Sequence, residues 1–225
     1  MRDAVIAVTG AFGTLGATLI EELARRGALP VAIDVAAEGE SAHAALVVPG
    51  CDIATADGAG RAIGRIEQRF GRLDGLANVA GGFRWAKIGD GDADEWEALY
   101  RMNLSTALNM SRAALPLLRA SRGAIVNIGA AAADRATLGM GAYAASKAAV
   151  ARFTEALAAE LAGDGIRVNA VLPTIIDTPA NRADMPDADR SGWVAPADLA
   201  RMIAFLLSDE VPALSGAAIR VSNGR

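Results

Sequence analysis

The stretch "AVIAVTGAFGTLGATLIEELARRG", residues 4–27, decides how the rest of the chain is read. Residues 4–10 are an apolar run of strand length, and residues 14–27 carry apolar positions at helical spacing before a Gly stop. Between the two lie Gly10, Gly13 and Gly16. Closely spaced glycines at a strand-to-helix turn let the backbone turn tightly and approach a pyrophosphate, whose charge meets the helix's free N–H groups. An ordinary turn with no ligand would look similar, so the next strand matters. "LPVAIDV" (29–35) places Asp34 at a strand end, where a carboxylate hydrogen-bonds a ribose diol and repels a 2′-phosphate. Together the two features predict a dinucleotide, NAD (NADH) in preference to NADPH. Arg25 and Arg26 sit late in the helix and read as a C-terminal charge pair rather than phosphate ligands.

The alternation continues to the end of the chain. Strands are expected at 44–53 (with a turn inside), 73–82, 123–129, 166–173 and 217–222. Helices are expected at 60–71, 141–163 and 196–209, with two helical segments over 93–121 meeting near Met102–Asn103. Residues 174–195 read as a polar, Pro-containing loop. Apolar strands separated by helices imply parallel strands covered on both faces. The expected fold is therefore α/β, a single-domain Rossmann fold over 1–225 with a doubly wound parallel sheet of about seven strands and helices on both faces. Ligands in such sheets sit at the carboxyl ends of the strands, near the switch point of strand order.

Composition narrows the function. Hydrophobic residues are 52% and charged residues 21% of the 225, a globular balance. The net charge of −4, with acids and bases interspersed, argues against nucleic acid or an anionic membrane as partner. One cysteine and one histidine are too few for a thiolate or zinc site, so no metal is expected. The arginine and apolar run at the N-terminus mimic a leader, but Asp3 and the glycines interrupt it. No apolar stretch is long enough and Gly-free enough to span a bilayer, and a cytoplasmic protein is the default expectation.

Tyr143 and Lys147 are four residues apart at the start of the helix after the fifth strand, so both side chains reach one spot. A nearby ammonium lowers a phenol's pKa and eases proton transfer near neutrality. A tyrosine and lysine at this spacing are common by chance; position after a dinucleotide loop gives these two their weight. In that context the chain resembles the short-chain dehydrogenase/reductase family over its whole length. The matching residues are "TGAFGTLG", "CDI" after the third strand, "NVAGG" after the fourth, Asn103, "IVNIG", "YAASK" and "VLPTIIDTP". The resemblance implies Tyr143 as general acid or base, Lys147 as the group that lowers its pKa and holds the nicotinamide ribose, and Asn103 as support for a water relay behind Lys147. It implies a cofactor bed of Gly10, Phe12, Gly13, Thr14, Leu15, Gly16, Asp34, Asp52, Ile53, Asn78, Ala80 and Gly81. Tyr143, Lys147, Pro173, Ile176 and Thr178 complete the nicotinamide end. A homodimer or homotetramer is implied as well, in keeping with helices that are apolar or small around much of their circumference.

Three departures stand out. The glycine spacing is Gly-x-x-Gly-x-x-Gly, one residue shorter than the commoner pattern. Thr174 follows Pro173 where glycine is usual. The family's catalytic serine lies about thirteen residues before the tyrosine, and here that position is Ala130, which neither donates to nor orients a substrate carbonyl. One branch, the dihydropteridine reductases, is similar in the loop spacing, in "IDV", in "VAGG" followed by an aromatic, in "GA" replacing the serine, and above all in 171–193. That similarity implies hydride transfer from NADH to a small cyclic substrate, a quinonoid dihydropterin, with Tyr143 donating the proton. "NLSTALNMSRAALPLL" and "SKAAVARFTEALAAELAGDGIRVNAV" instead resemble the broad ketone and alcohol group. Two alternatives therefore stand: a carbonyl reductase or alcohol dehydrogenase, 3-ketoacyl reductases included, with a substitute for the serine; and a catalytically silent dinucleotide sensor.

Phe83 and Trp85 follow "NVAGG" at the mouth of the expected site, where they either stack on a flat substrate or merely pack. Ala130 and Asn181 are the other candidate substrate contacts. Asn181, Arg182, Asp184 and Asp187 fit a lid as well as a solvent loop, and Trp193 is the candidate anchor. His43 reads as a surface residue and Cys51 as a partly buried structural thiol.

Overall fold

A computed structural model describes residues 1–89 and 92–223. Seven parallel strands form one sheet: β1 Val5–Thr9, β2 Leu29–Ile33, β3 Leu46–Val48, β4 Gly75–Asn78, β5 Ala124–Ile128, β6 Arg167–Pro173 and β7 Ala218–Val221. Their order is β3-β2-β1-β4-β5-β6-β7. The direction of winding reverses between β1 and β4, opening a crevice at their carboxyl ends.

The helices are α1 Thr14–Arg25, α2 Ala56–Phe70, α3 Ala93–Tyr100, α4 Thr106–Ser121, α5 Gly141–Leu161, α6 Pro179–Asp184 and α7 Pro196–Leu207. Side chains alternate across each strand, so each buried strand supplies two cores. On one face Leu19, Ile20 and Leu23 of α1 and Leu199 and Ile203 of α7 meet Ile6, Val8 and Val126. On the other, Ile63 and Ile66 of α2, Met110 and Leu118 of α4 and Leu157 of α5 meet Val5, Ala7, Leu76 and Ile125. The result is the expected three-layer αβα sandwich.

Boundaries differ in three instructive places. β3 ends at Val48 because Pro49 follows and Gly50 turns with φ +66°. α2 begins four residues before the expected start, where the Thr55 hydroxyl accepts the Gly58 N–H at 3.1 Å. The segment expected as loop over 174–195 contains α6, because Thr178 caps it (Asn181 N–H to Oγ1, 3.1 Å) and Pro179 sits in its first turn. The two helical segments over 93–121 are joined by a π-helical turn, Arg101–Ser105.

Candidate active site

The carboxyl end of β1 carries the glycine loop. Gly10 has φ +63°, and a Cβ there would lie 2.9 Å from Ala80 Cα, so only glycine lets this loop approach the end of β4. A Cβ on Gly16 would run into the Gly10 carbonyl, so α1 also packs as closely as glycine allows. Thr9, which the sequence reading overlooked, ties the two strand ends together: its Oγ1 accepts the Val79 and Ala80 N–H groups, each at 3.0 Å. α1 has Gly13 as its N-cap, with no side-chain cap and no acid in the first turn. Its leading N–H groups are thus left for an anion, as a diphosphate requires.

Asp34 lies at the end of β2 and accepts the Phe12 N–H (2.9 Å) and the Ala36 N–H (3.0 Å). Its carboxylate is fixed beside the glycine loop and still has lone pairs for a diol. Asp52 accepts the Ala54 N–H and pairs with Arg101 at 2.7 Å. That bridge borders a groove of about 600 Å³ lined by Ala54, Thr55, Asp94, Glu97, Ala98, Arg101 and Ser105, away from Tyr143. Asn78 donates to Ser111 Oγ and Asn127 Oδ1, while its own Oδ1 has no protein partner. Arg25 and Arg26 both bind Glu22 and hold it below the usual carboxylate range despite its burial, in line with their reading as a helix-end charge pair. This bed of glycines, uncapped helix start and fixed acid fits a nicotinamide dinucleotide.

The titratable candidates Tyr143 and Lys147 lie at the start of α5. Lys147 is buried, and its Nζ donates to the Ile128 carbonyl at 2.8 Å. Gly81 leaves space that Lys147 Nζ and Asn103 Oδ1 border: an added Cβ would lie 3.1 Å from the first and 2.7 Å from the second. Asn103 sits in the π-helical turn; its Oδ1 accepts the Gly82 N–H, and its Nδ2 donates to Gly82 O and to Ser146 Oγ. Ser146 in turn donates to Tyr143 O, so its hydroxyl is fully committed to the helix and does not stand in for a serine at residue 130. Ala130 is buried at the end of β5.

Burial governs both titrations. It lowers Lys147 from 10.5 to about 8 and raises the Tyr143 phenol to about 12. The expected lowering of the phenol by Lys147 is therefore not seen: burial of the phenol raises it instead. At neutral pH Tyr143 is a protonated, partly enclosed donor beside a charged Lys147.

One aromatic ring lies against Tyr143, and a second lies in the same segment after β4. Phe83 lies edge-on to Tyr143, with centroids 4.9 Å apart and planes at 89°. The Trp85 indole N–H donates to Leu138 O at 3.0 Å, and the Ala86 N–H donates to Gly139 O. These bonds form a strap joining the segment after β4 to the segment before α5. Gly139 has φ +74°, and a Cβ there would enter the Trp85 ring, so glycine is what lets the indole lie across the strap. Nothing in the sequence reading anticipated the part played by Leu138 and Gly139.

Beyond β6, Ile176 bridges to Val194, and buried Trp193 lies beside it, seating the 174–195 segment. Asn181 donates to Ile176 O and so braces that segment rather than pointing free into the site. Thr178 is occupied as the cap of α6. Cys51 is a buried free thiol. Among the described residues no helix is long and apolar enough to cross a membrane.

The family model for short chain dehydrogenases matches residues 4–189, the span that holds the glycine loop, Asp34, Asn103, Tyr143 and Lys147. The chain belongs to the short-chain dehydrogenase family. As a family member it is an oxidoreductase built for a nicotinamide cofactor. Among related short-chain dehydrogenases, a 2-(S)-hydroxypropyl-CoM dehydrogenase of Xanthobacter autotrophicus is 31% identical, covering 100% of this chain and 97% of the relative. A D-threitol dehydrogenase of Mycolicibacterium smegmatis is 33% identical, covering 98% and 92%. A 3-oxoacyl-[acyl-carrier-protein] reductase of Thermotoga maritima is 30% identical, covering 100% and 98%. In structure, the ligand-free aldohexose dehydrogenase of Thermoplasma acidophilum superposes with a TM-score of 0.89 at 28% identity, over 98% of this chain and 92% of that one.

Proposed function

We propose that this short-chain dehydrogenase uses NADH to reduce a flat cyclic substrate of the quinonoid dihydropterin type, with Tyr143 as proton donor. The observation that carries this reading is the hydroxyl-free strand end at Ala130, on a site where Phe83 lies edge-on to Tyr143. An isolated ketone needs a donor on its oxygen as charge develops. A conjugated ring spreads that charge, so one proton from Tyr143 suffices, and aromatic faces and edges suit a planar partner.

The bound dihydronicotinamide supplies the hydride. The chain would supply the rest: the glycine loop and the start of α1 would hold the diphosphate, and Asp34 the adenosine ribose. Acids at Asp34, Glu38 and Glu40, with no lysine or arginine in 27–60, favour NADH over a 2′-phosphorylated cofactor. Tyr143, protonated at neutral pH, gives its proton to the ring atom that gains electron density. Lys147 keeps a positive charge beside the phenolate that results. Asn103, through Gly82 and Ser146, fixes the start of α5 relative to the segment after β4. We further infer a homo-oligomer acting on a small molecule in the cytoplasm.

A second reading rests on the ketone- and alcohol-active relatives: a carbonyl reductase in which another group replaces the serine. The test is NADH oxidation by purified protein with quinonoid dihydropterin beside simple ketones and ketoacyl esters, in the wild type and Ala130→Ser. The first reading expects pterin turnover that Ala130→Ser lowers by crowding the ring. Ketone turnover alone, raised by Ala130→Ser, would replace it with the second.

A further inference from the structure

The end of the sheet opposite the glycine loop holds a cavity of its own. Its volume is about 250 Å³, and it lies at the amino ends of β1, β4, β5 and β6, beside the end of α7. Sites for drug-sized ligands run to roughly 300–1,000 Å³, so an occupant here is compact. Four arginines line it, Arg2, Arg72, Arg122 and Arg167, against two carboxylates, Asp74 and Asp209. Its side chains therefore carry an excess of two positive charges, in a chain whose net charge is −4.

The hydrogen bonds leave that excess in place. Asp74 is taken up by its neighbours: Oδ1 accepts from Arg72 at 2.6 Å, and Oδ2 accepts the Val5 N–H at 2.8 Å. Arg167 donates to the Leu206 and Ser208 carbonyls at 2.7 and 2.8 Å, which uses two of its five N–H groups. Burial pulls this guanidinium below its ordinary value while Asp209 opposes the shift, so the charge is short of solvation. Among the described residues, Arg2 and Arg122 have no carboxylate within 4.0 Å. The backbone singles out the same place. Asp3 and Arg122 are the two non-glycine residues with positive φ among those described, at 59° and 52°. Arg122 lines the cavity, and Asp3 lies between Arg2 and Ala4, which also line it. Arg122 closes α4 in the left-handed conformation that glycine ordinarily takes, so the arginine holds strain that a glycine would not.

We propose that this cavity binds a small dianion of the phosphate type, free or as the head of a phosphate ester, held by Arg2, Arg122 and Arg167. Guanidinium groups suit that ligand because their planar fork pairs with two oxygens at once. The bound anion ties the starts of four strands to the end of α7, at the other end of the sheet from Tyr143. It stabilises the fold without entering the reaction.

The experiment follows Tm and isothermal phosphate binding in protein saturated with NADH, so that the bed around Gly10 is already filled. Ionic strength is held constant with chloride. For a Kd of about 1 mM, about 10 mM inorganic phosphate should raise Tm by about 3–5 °C over chloride. Arg122→Gly removes one guanidinium while easing the backbone, and Arg2→Gln removes another from an exposed position. Each should fold as the wild type does, keep its kcat and bind phosphate about 10-fold or more weakly. Glycerol phosphate run beside phosphate separates the sources: tighter binding of the ester marks a phosphorylated metabolite, tighter binding of phosphate the free ion. A wild-type Tm that phosphate moves no further than chloride would overturn the proposal. So would a shift that both variants keep in full, or one seen only without NADH, because the anion would then occupy the cofactor's bed.

Discussion

Lys147 offers a quantitative check on the geometry of the site without any substrate. Its ammonium is buried with the Ile128 carbonyl as its hydrogen-bond acceptor, and burial brings its pKa from 10.5 to about 8. At about 1.36 kcal/mol per pKa unit, the folded state carries a penalty of about 3 kcal/mol for holding that charge at pH 7. The sign follows from proton counting. Below about pH 8 both folded and unfolded chains hold the proton and the penalty is whole. Between about 8 and 10.5 the unfolded chain binds the proton that the folded one has released, so stability rises with pH. By pH 10 the penalty should have fallen to about 1 kcal/mol. Tyr143 acts in the opposite direction, but only from pH 10 towards its raised value of about 12, so the comparison stops at pH 10. Urea unfolding of wild type and Lys147→Met, each from pH 7 to 10, isolates the effect because every other titration is shared. The stability difference should move by about 2 kcal/mol in favour of wild type as pH rises. A difference that stays flat across that range would refute the placement of Lys147 as a desolvated ammonium.

Two other perturbations address separate parts of the site. Asp34→Ala should weaken NADH by roughly 10- to 100-fold, the size of a charged hydrogen bond, and narrow the preference over NADPH. Titrations of both cofactors check it, and unchanged affinities would reduce Asp34 to an acceptor for the Phe12 N–H. Gly139→Val should break the Trp85 strap, because glycine's positive φ and the indole leave no place for a side chain. KM for substrate should rise about 10-fold or more with NADH affinity intact, whereas an unchanged KM would show that the strap does not border the substrate.

Local features carried by a few adjacent residues are legible in the sequence. The strand–glycine–helix entry, Asp34 at a strand end and the Tyr143–Lys147 spacing each follow from local periodicity, and the structure places them around one crevice. The α6 signal was also present, a Thr178 cap followed by Pro179, but the polar composition of the segment masked it. Features that depend on two distant segments meeting were not legible. The Trp85–Leu138 bond and the closeness of Gly139 to the indole arise only when the strap folds over. The phenol's raised pKa was hidden for the same reason. Sequence spacing puts a lysine near Tyr143, but shows neither the Ile128 carbonyl that accepts a hydrogen bond from the ammonium nor the burial that raises the phenol.

The central claim is that Tyr143 delivers the proton that accompanies hydride transfer from NADH. The most direct measurement is turnover by Tyr143→Phe at saturating NADH on the wild type's best substrate, with NADH affinity measured in parallel. The account predicts a fall in kcat of about 10²- to 10⁴-fold with NADH binding preserved. A Tyr143→Phe enzyme that turns over at the wild-type rate would contradict it.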